Sequence, residues 1–298
     1  MNDVSAILSG LNSEQEAAVK CVEGPVLIVA GAGSGKTRVL TSRIAYMLAG
    51  GIDPSGVMAL TFTKKAANEM KSRIGNLIGH DAVHLLQIGT FHSVFSRILR
   101  VEAELLGYNS NFTIYDEADS RSLIKSIVKE MGLDDKLYKP AGVHNKISMA
   151  KNRLITDVLY NSDKEAIRRD QEARVPMVGA IYAAYARQCK QSNAMDFDDL
   201  LLLTYRLFNE HDDIRTKYAD RFRYVLVDEY QDTNYAQQCV VLQLTKEHRQ
   251  ICVVGDDAQS IYGFRGANID NILGFRQIYK EARLFKLEQN YRSTQRIV

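Results

Sequence analysis

Cysteine is scarce in this chain. Its four cysteines, Cys21, Cys189, Cys239 and Cys252, lie far apart, with no CxxC pair and no histidine partner at ligand spacing. That argues against a zinc site and a disulfide framework and fits a reducing compartment. Long apolar runs are also missing: none approaches the roughly 18 residues a membrane span needs. The first residues, Met1 to Asn12, carry neither the basic nor the apolar region of a secretion signal. A soluble, cytoplasmic protein without a membrane partner is therefore expected. Neither sign of charge is in excess, with 38 Lys and Arg against 36 Asp and Glu, so any nucleic-acid site must be a local patch. No internal repeat or low-complexity segment breaks the pattern. What remains is a globular composition over 298 residues, long enough for two domains or for one domain with a large insertion.

What the chain does have is a phosphate cradle. Ala30-Gly31-Ala32-Gly33-Ser34-Gly35-Lys36-Thr37 follows the apolar run Val26 to Val29 and precedes a helical segment, Arg38 to Leu48. Strand, glycine-rich turn, Lys-Thr and helix is the order that binds a nucleoside triphosphate. Glycines let several backbone N–H groups converge on one phosphate, and the helix N-terminus adds its positive end. Lys36 is placed to reach the β- and γ-phosphates, and the Thr37 hydroxyl to bind Mg²⁺. Ala30 stands where the strict pattern has glycine, a position that tolerates a small side chain.

Upstream, Asn12 and Gln15 have capping-box spacing at the start of a helix. Two readings of Gln15 stand side by side: a helix cap, or an amide matched to an adenine edge. Val57 to Thr63 reads as a buried strand running into a helix that begins Lys64-Lys65. Phe62 there is either a core residue or a base-stacking one, and Thr61, Thr63, Lys64 and Lys65 either phosphate contacts or solvated residues. A third strand, Leu85 to Thr90, leads into Phe91-His92-Ser93, where Thr90 and Ser93 read as capping candidates.

From about residue 108 to 193 strands give way to helices, expected over Asp116–Gly132, Pro140–Asn152, Ser162–Ala173 and Pro176–Gln191. A block of helices inside an α/β pattern indicates an inserted helical subdomain. Within it Lys136, Lys139, Lys146, Lys151 and Arg153 are unrelieved by any acid. They form either a solvated face or a phosphate-tracking stripe. Asp196, Asp198 and Asp199 then open an apolar helix to Phe208, acids at its dipole's positive end.

The apolar strand Arg223 to Val227 ends in Asp228-Glu229. Beside a P-loop, this pair reads as a Mg²⁺ ligand, Asp228, and a base for the attacking water, Glu229. Another strand from Ile251 runs into Gln259, Tyr262, Phe264 and Arg265, read as a γ-phosphate sensor followed by base and backbone contacts, or else as a packed loop. Leu284 to Asn290 is a final strand, followed by Tyr291-Arg292-Ser293.

Together these stretches resemble the ATPase half of superfamily 1 DNA helicases of the UvrD, PcrA and Rep type, across essentially the whole chain and in the family's motif order. Leu11 to Val19 is similar to the adenine-reading Q motif, with Gln15 as its glutamine. Ala30 to Arg38 matches motif I, which extends the nucleotide site to Arg38. Thr61 to Ala67 resembles motif Ia and Gly89 to Ser93 motif Ib, which hold single-stranded DNA in the family. This implies a base contact for Phe62 and phosphate contacts for Thr90 and His92. Val227 to Thr233 looks like motif II, Val254 to Tyr262 motif III, and Gln289 to Ser293 motif IV. The resemblance implies that Tyr291 stacks on adenine and that Arg292 is an arginine finger. Family members often carry a tryptophan two residues after the motif III tyrosine; here that residue is Phe264, and the chain has no tryptophan. Phenylalanine still stacks, over less area.

The expected fold is a RecA-like α/β P-loop domain with a central parallel sheet, from residues 1–107 and 194–280, carrying an all-helical insertion over 108–193. Residues 281–298 would begin a second motor domain, whose later motifs the sequence does not contain. The resemblance implies ATP and Mg²⁺ as cofactors. It also implies single-stranded DNA and its junction with duplex as partners, and the rest of the motor as the missing wall of the ATP cleft. The expected activity is ATP-driven 3′ to 5′ translocation and unwinding by the whole protein, with the fragment alone inactive as a helicase. A motor subunit of a helicase–nuclease complex and a DNA-binding P-loop ATPase that does not translocate are the alternatives.

Overall fold

In the computed structural model, residues 4–31, 33–256 and 270–291 are described. Eight strands are present among them: β1 (Val26–Ala30), β2 (Val57–Thr61), β3 (Gln87–Thr90), β4 (Thr113–Tyr115), β5 (Ala194–Asp196), β6 (Tyr224–Val227), β7 (Ile251–Gly255) and β8 (Arg283–Leu287). Fourteen helices accompany them: α1 (Val4–Leu8), α2 (Ser13–Lys20), α3 (Lys36–Ala49), α4 (Lys64–Ile78), α5 (Phe91–Glu102), α6 (Glu117–Glu130), α7 (Pro140–Asn152), α8 (Asp157–Ser162), α9 (Lys164–Glu172), α10 (Val178–Gln191), α11 (Phe197–Glu210), α12 (Asp212–Arg221), α13 (Tyr235–Thr245) and α14 (Asp270–Ile278). None is long and apolar enough to cross a membrane.

The chain divides into two compact units, residues 1–94, 211–233 and 237–298 in one, and residues 95–210 and 234–236 in the other. The first is built on a six-stranded sheet in the order β3-β2-β6-β7-β1-β8. All its pairings are parallel. Parallel strands covered on both faces must be apolar throughout, and β2 is buried at every position. Val26, Ile28, Leu40, Ile44, Ala59, Ile74 and Val254 belong to its core. The α/β fold with a central parallel sheet is therefore present. Ligands of such sheets bind beyond the carboxyl ends of the strands, and the described candidate residues that follow β1, β2, β3 and β6 lie at those ends.

The second unit is helical, with a core that includes Ile124, Ile127, Val143, Ile147, Ile181 and Tyr185. Asp116 caps α6 through a reciprocal capping box with Asp119, and Pro140 starts α7. The helix expected over Ser162–Ala173 is present as α9, capped one residue later than Ser162 by the Asp163 side chain, which accepts from the Glu165 N–H at 2.9 Å; α8, just before it, is a further helix that the sequence pattern did not indicate. A short parallel pair, β4 with β5, also lies here, aligning Thr113 with Ala194. Three-residue strands are too short to show a period in sequence.

The basic run resolves into different fates. Lys136, Lys139 and Arg153 are exposed. Lys146 donates to Asp170 at 2.6 Å. Lys151 is 2% exposed, and its ammonium lies 2.7 Å from both Asp196 Oδ2 and Asp199 Oδ1. The Tyr185 hydroxyl donates to the same Asp196 oxygen at 2.9 Å. Asp196 and Asp199 exchange backbone-to-carboxylate bonds of 3.1 and 2.8 Å, a capping box at the start of α11. Lys151 is thus a structural cation rather than part of a phosphate stripe.

Candidate nucleotide site

The first turn of α3 and the ends of β1, β6 and β7 converge on one lysine. Gly33 and Gly35 have φ of 77° and 86°, a left-handed region open to glycine, and Gly35 is the N-cap of α3. Ser34 closes the loop, its hydroxyl donating to Gly31 O at 2.7 Å. Lys36 and Thr37 then occupy the helix start, Lys36 buried and Thr37 half-buried. Lys36 Nζ lies 3.4 Å from Glu229 Oε2 and 3.5 Å from Asp256 Oδ2. It nevertheless has no hydrogen-bond partner among the described residues, although the atom is buried. A buried ammonium with unmet donors costs free energy that an anionic ligand would recover. Its place at a helix N-terminus, beside a loop of backbone N–H groups, suits a phosphate.

Asp228 and Glu229 follow β6. The Asp228 N–H donates to Leu60 O at 2.9 Å, which fixes the end of β6 against β2. Burial, reinforced by the adjacent Glu229 charge, pushes the Asp228 carboxyl up to about 7. Glu229 has a left-handed φ of 49°, a strained conformation for a non-glycine residue that costs roughly 1–3 kcal/mol. The turn aims its carboxylate toward Lys36. Gln231 holds it there: Nε2 donates to Glu229 Oε2 at 2.9 Å, while Oε1 accepts from the Asp256 N–H at 3.0 Å. Gln231 thereby ties the ends of β6 and β7 together. Sequence reading placed Gln231 inside motif II without a role and gave Asp256 none. A buried amide two residues beyond a paired carboxylate was the available signal for Gln231.

Gln15 does what capping predicts and something more. It exchanges bonds with Asn12, N–H to Asn12 Oδ1 at 2.8 Å and Oε1 from the Asn12 N–H at 3.1 Å. Its Nε2 also donates to Ser34 O at 2.9 Å, joining the cap of α2 to the P-loop. Tyr291 lies at the same end: its N–H donates to Gly33 O at 2.9 Å, and its hydroxyl accepts from Asn12 Nδ2 at 2.8 Å. The ring is half exposed, at 54%. Ala30 is buried at the end of β1, Gly31 is exposed, and Arg38 points away to Ser9 O at 3.1 Å.

A second group lies at the ends of β2 and β3, where Thr61 pairs with Thr90. The half-buried Phe62 ring is 5.6 Å from the Phe91 ring. Thr63 caps α4 by accepting from the Ala66 N–H at 3.0 Å, and Thr90 accepts from the Ser93 N–H at 3.2 Å. Lys64 and Lys65 are exposed in the first turn of α4, where the helix dipole prefers acids, and His92 is half-buried. Ala32, Gln259, Tyr262, Phe264, Arg265 and Arg292 lie outside the described residues.

The model of the UvrD/REP helicase N-terminal domain matches residues 11–280. The chain belongs to that family. It is 47% identical over 296 residues to the ATP-dependent DNA helicase PcrA of Staphylococcus aureus and 46% identical to that of Staphylococcus epidermidis. Those matches cover 99% of this chain but 40% of each relative, so the chain spans well under half the length of the curated proteins it resembles.

Proposed function

We propose that this chain is the ATP-binding part of an ATP-dependent DNA motor that moves 3′ to 5′ along single-stranded DNA and separates strands. The observation that carries the reading is Lys36, a buried ammonium held between Glu229 and Asp256 without a hydrogen bond among the described residues, at the N-terminus of α3. In this reading Lys36 and the loop N–H groups bind the β- and γ-phosphates. Glu229 takes the proton of the attacking water, its carboxylate kept in place by Gln231. Gln15 and Tyr291, both bonded to the P-loop backbone, bracket the adenine. Gln259 and Arg292 are assigned by family resemblance to sensing and stabilising the γ-phosphate.

The residues fit Mg²⁺. Asp228 is a buried carboxylate with a raised pKa, which a divalent cation would bring back to its charged form. Thr37 supplies a hydroxyl at the helix start. Mg²⁺ would be held by Thr37, Asp228 and the phosphates, and it supplies charge neutralisation there. The exposed lysines of α4 and the aromatic and hydroxyl groups at the ends of β2 and β3 support a strand contact by Phe62, Thr63, Lys64, Thr90 and His92. Tyr262, Phe264 and Arg265 would extend it.

ATP hydrolysis with and without single-stranded DNA, measured for this chain and for one extended through the second motor domain, tests the reading. The extended chain should be DNA-stimulated and residues 1–298 nearly inert, because one wall of the cleft is absent. An extended chain without DNA stimulation would remove the motor reading. Robust turnover by residues 1–298 would remove the half-site reading.

A further inference from the structure

The helical unit holds a cleft of about 680 Å³ lined from α8, α10 and α11, with Tyr108 on its wall and Lys151 and Asp199 on its floor. That volume falls within the roughly 300–1,000 Å³ typical of small-molecule sites. Floor and mouth differ chemically. On the floor, Lys151 is already satisfied by Asp196 and Asp199. At the mouth, Arg187 and Lys190 sit three residues apart on α10, both exposed, and neither makes an ion pair among the described residues. Arg206, which also lines the cleft, is held by Glu210 at 2.9 Å.

The aromatic wall is equally uncommitted. The Tyr182 hydroxyl donates to Ile155 O at 2.9 Å, but those of Tyr108 and Tyr205 have no partner among the described residues. Burial and the Asp199 charge push the Tyr108 phenol up, so it remains a donor. Lys190 Nζ lies 5.7 Å from the centre of the Tyr108 ring, so a cation and an aromatic face meet at one spot. Leu159 and Leu202 add apolar wall. Lys151, Asp196 and Asp199 satisfy one another and leave no free donor for an anion deep in the cleft, which leaves the mouth for the charge and the interior for a ring.

We infer that this cleft binds a nucleotide-sized aromatic anion, its ring within the tyrosine-lined interior and its phosphate on Arg187 and Lys190. The chemistry is shared by a free mononucleotide and by the phosphorylated end of a strand. It is separate from the P-loop reading, because no residue is common to both sites.

The test is calorimetric titration with thymidine 5′-monophosphate of the chain carrying Lys36→Ala, so that the P-loop lysine does not contribute. Saturable binding is expected, weakened about tenfold or more by Arg187→Glu with Lys190→Glu, equivalent to about 1.4 kcal/mol. Tyr108→Phe, which keeps the ring and removes the donor, should weaken it by a smaller factor and guards against a fold-wide effect of charge reversal. No binding, or binding indifferent to all three substitutions, overturns the inference. Competition by oligothymidylates with and without a 5′-phosphate identifies the source. Displacement by the phosphorylated oligomer alone indicates a strand end, and displacement by neither indicates the free mononucleotide. ATP binding by the Lys36-intact chain should be unchanged by Arg187→Glu with Lys190→Glu, so failure of one site is distinguishable from failure of the other.

Discussion

Two lysines in this chain face two carboxylates each, and they are built in opposite ways. Lys151 meets Asp196 and Asp199 at 2.7 Å, is almost wholly buried, and shares Asp196 with the Tyr185 hydroxyl. Lys36 meets Glu229 and Asp256 at 3.4 and 3.5 Å and bonds to neither. In the helical unit the charges satisfy one another, and the cluster acts as a clasp joining α7 to β5 and α11. At the carboxyl ends of β1, β6 and β7 the same kinds of charge are held just out of bonding reach by a strained Glu229 backbone and by Gln231. Full satisfaction gives stability, whereas incomplete satisfaction leaves room for a ligand. Lysine substitutions at the two positions should therefore fail differently.

The largest effect is expected at the open cluster. In the chain extended through the second motor domain, Glu229→Gln should lower DNA-stimulated hydrolysis by roughly 10²- to 10⁴-fold, because the water loses its base. Binding of a fluorescent ATP analogue should survive. Lys36→Ala should abolish that binding and cost much less stability than the loss of Lys151, since its ion pairs are longer and no hydrogen bond among the described residues goes with it. A large drop in melting temperature for Lys36→Ala would make the two clusters alike and defeat the comparison.

At the closed cluster the loss should be of fold. Lys151→Met leaves Asp196 and Asp199 buried without their cation, and breaking such a pair costs about 3–5 kcal/mol. Chemical denaturation followed by circular dichroism measures it. If Lys151→Met costs less than the exposed control Lys136→Met, the clasp is not structural.

Acidity separates the clusters further. Burial and the charge of Asp196 push the Asp199 carboxyl up to about 7, against an ordinary value of 3.8. Asp196 goes the other way: burial raises it, but the Lys151 charge and hydrogen bond outweigh burial and hold it low. Between pH ~4 and ~7 the folded chain therefore keeps a proton on Asp199 that the unfolded chain has released. Stability should fall as pH rises across that window and level off above it. Thermal melts at pH 5.5 and 8 should show the decline, and Asp199→Asn should flatten it. Asp228, also raised to about 7, contributes in the same direction, so a residual slope should persist in Asp199→Asn and shrink when Mg²⁺ and nucleotide are added.

How much of this was legible in sequence follows from which interactions are local. The six strands of the large sheet and the Lys36 loop were readable because each is a contiguous apolar run or a contiguous turn. Pro140 and Asp116 announced their helices for the same reason. The clasp was not legible: Lys151 lies 45 residues from Asp196, and along the chain it looked like one more member of a basic run. Asp199 read as a complement to the α11 dipole, true but secondary to its bond with Lys151. Gln231 and Asp256 are joined only by tertiary structure, 25 residues apart. The cap at Asp163 was hidden because Ser162 is an equally good capping residue, and only the backbone shows which one caps.

The smallest effect, at Thr63, asks whether one side chain can serve both kinds of site. Its hydroxyl caps α4 through the Ala66 N–H, a local and fully made bond like those of the clasp. It is also exposed just beyond the carboxyl end of β2, next in sequence to Phe62 and Lys64, among the residues proposed to hold DNA. Loss of a cap alone costs about 1 kcal/mol, so Thr63→Ala should lower the melting temperature by a few degrees. Thr63→Ser keeps the cap and removes one methyl group, and should restore stability. Oligothymidylate affinity, measured by fluorescence anisotropy, then separates the roles. If Thr63→Ala loses affinity and Thr63→Ser regains it, the hydroxyl serves the strand, either directly or by fixing Lys64 in the first turn. Lys64→Ala distinguishes these: its effect should add to that of Thr63→Ala if the hydroxyl acts alone, and should largely subsume it if the cap works by positioning the lysine.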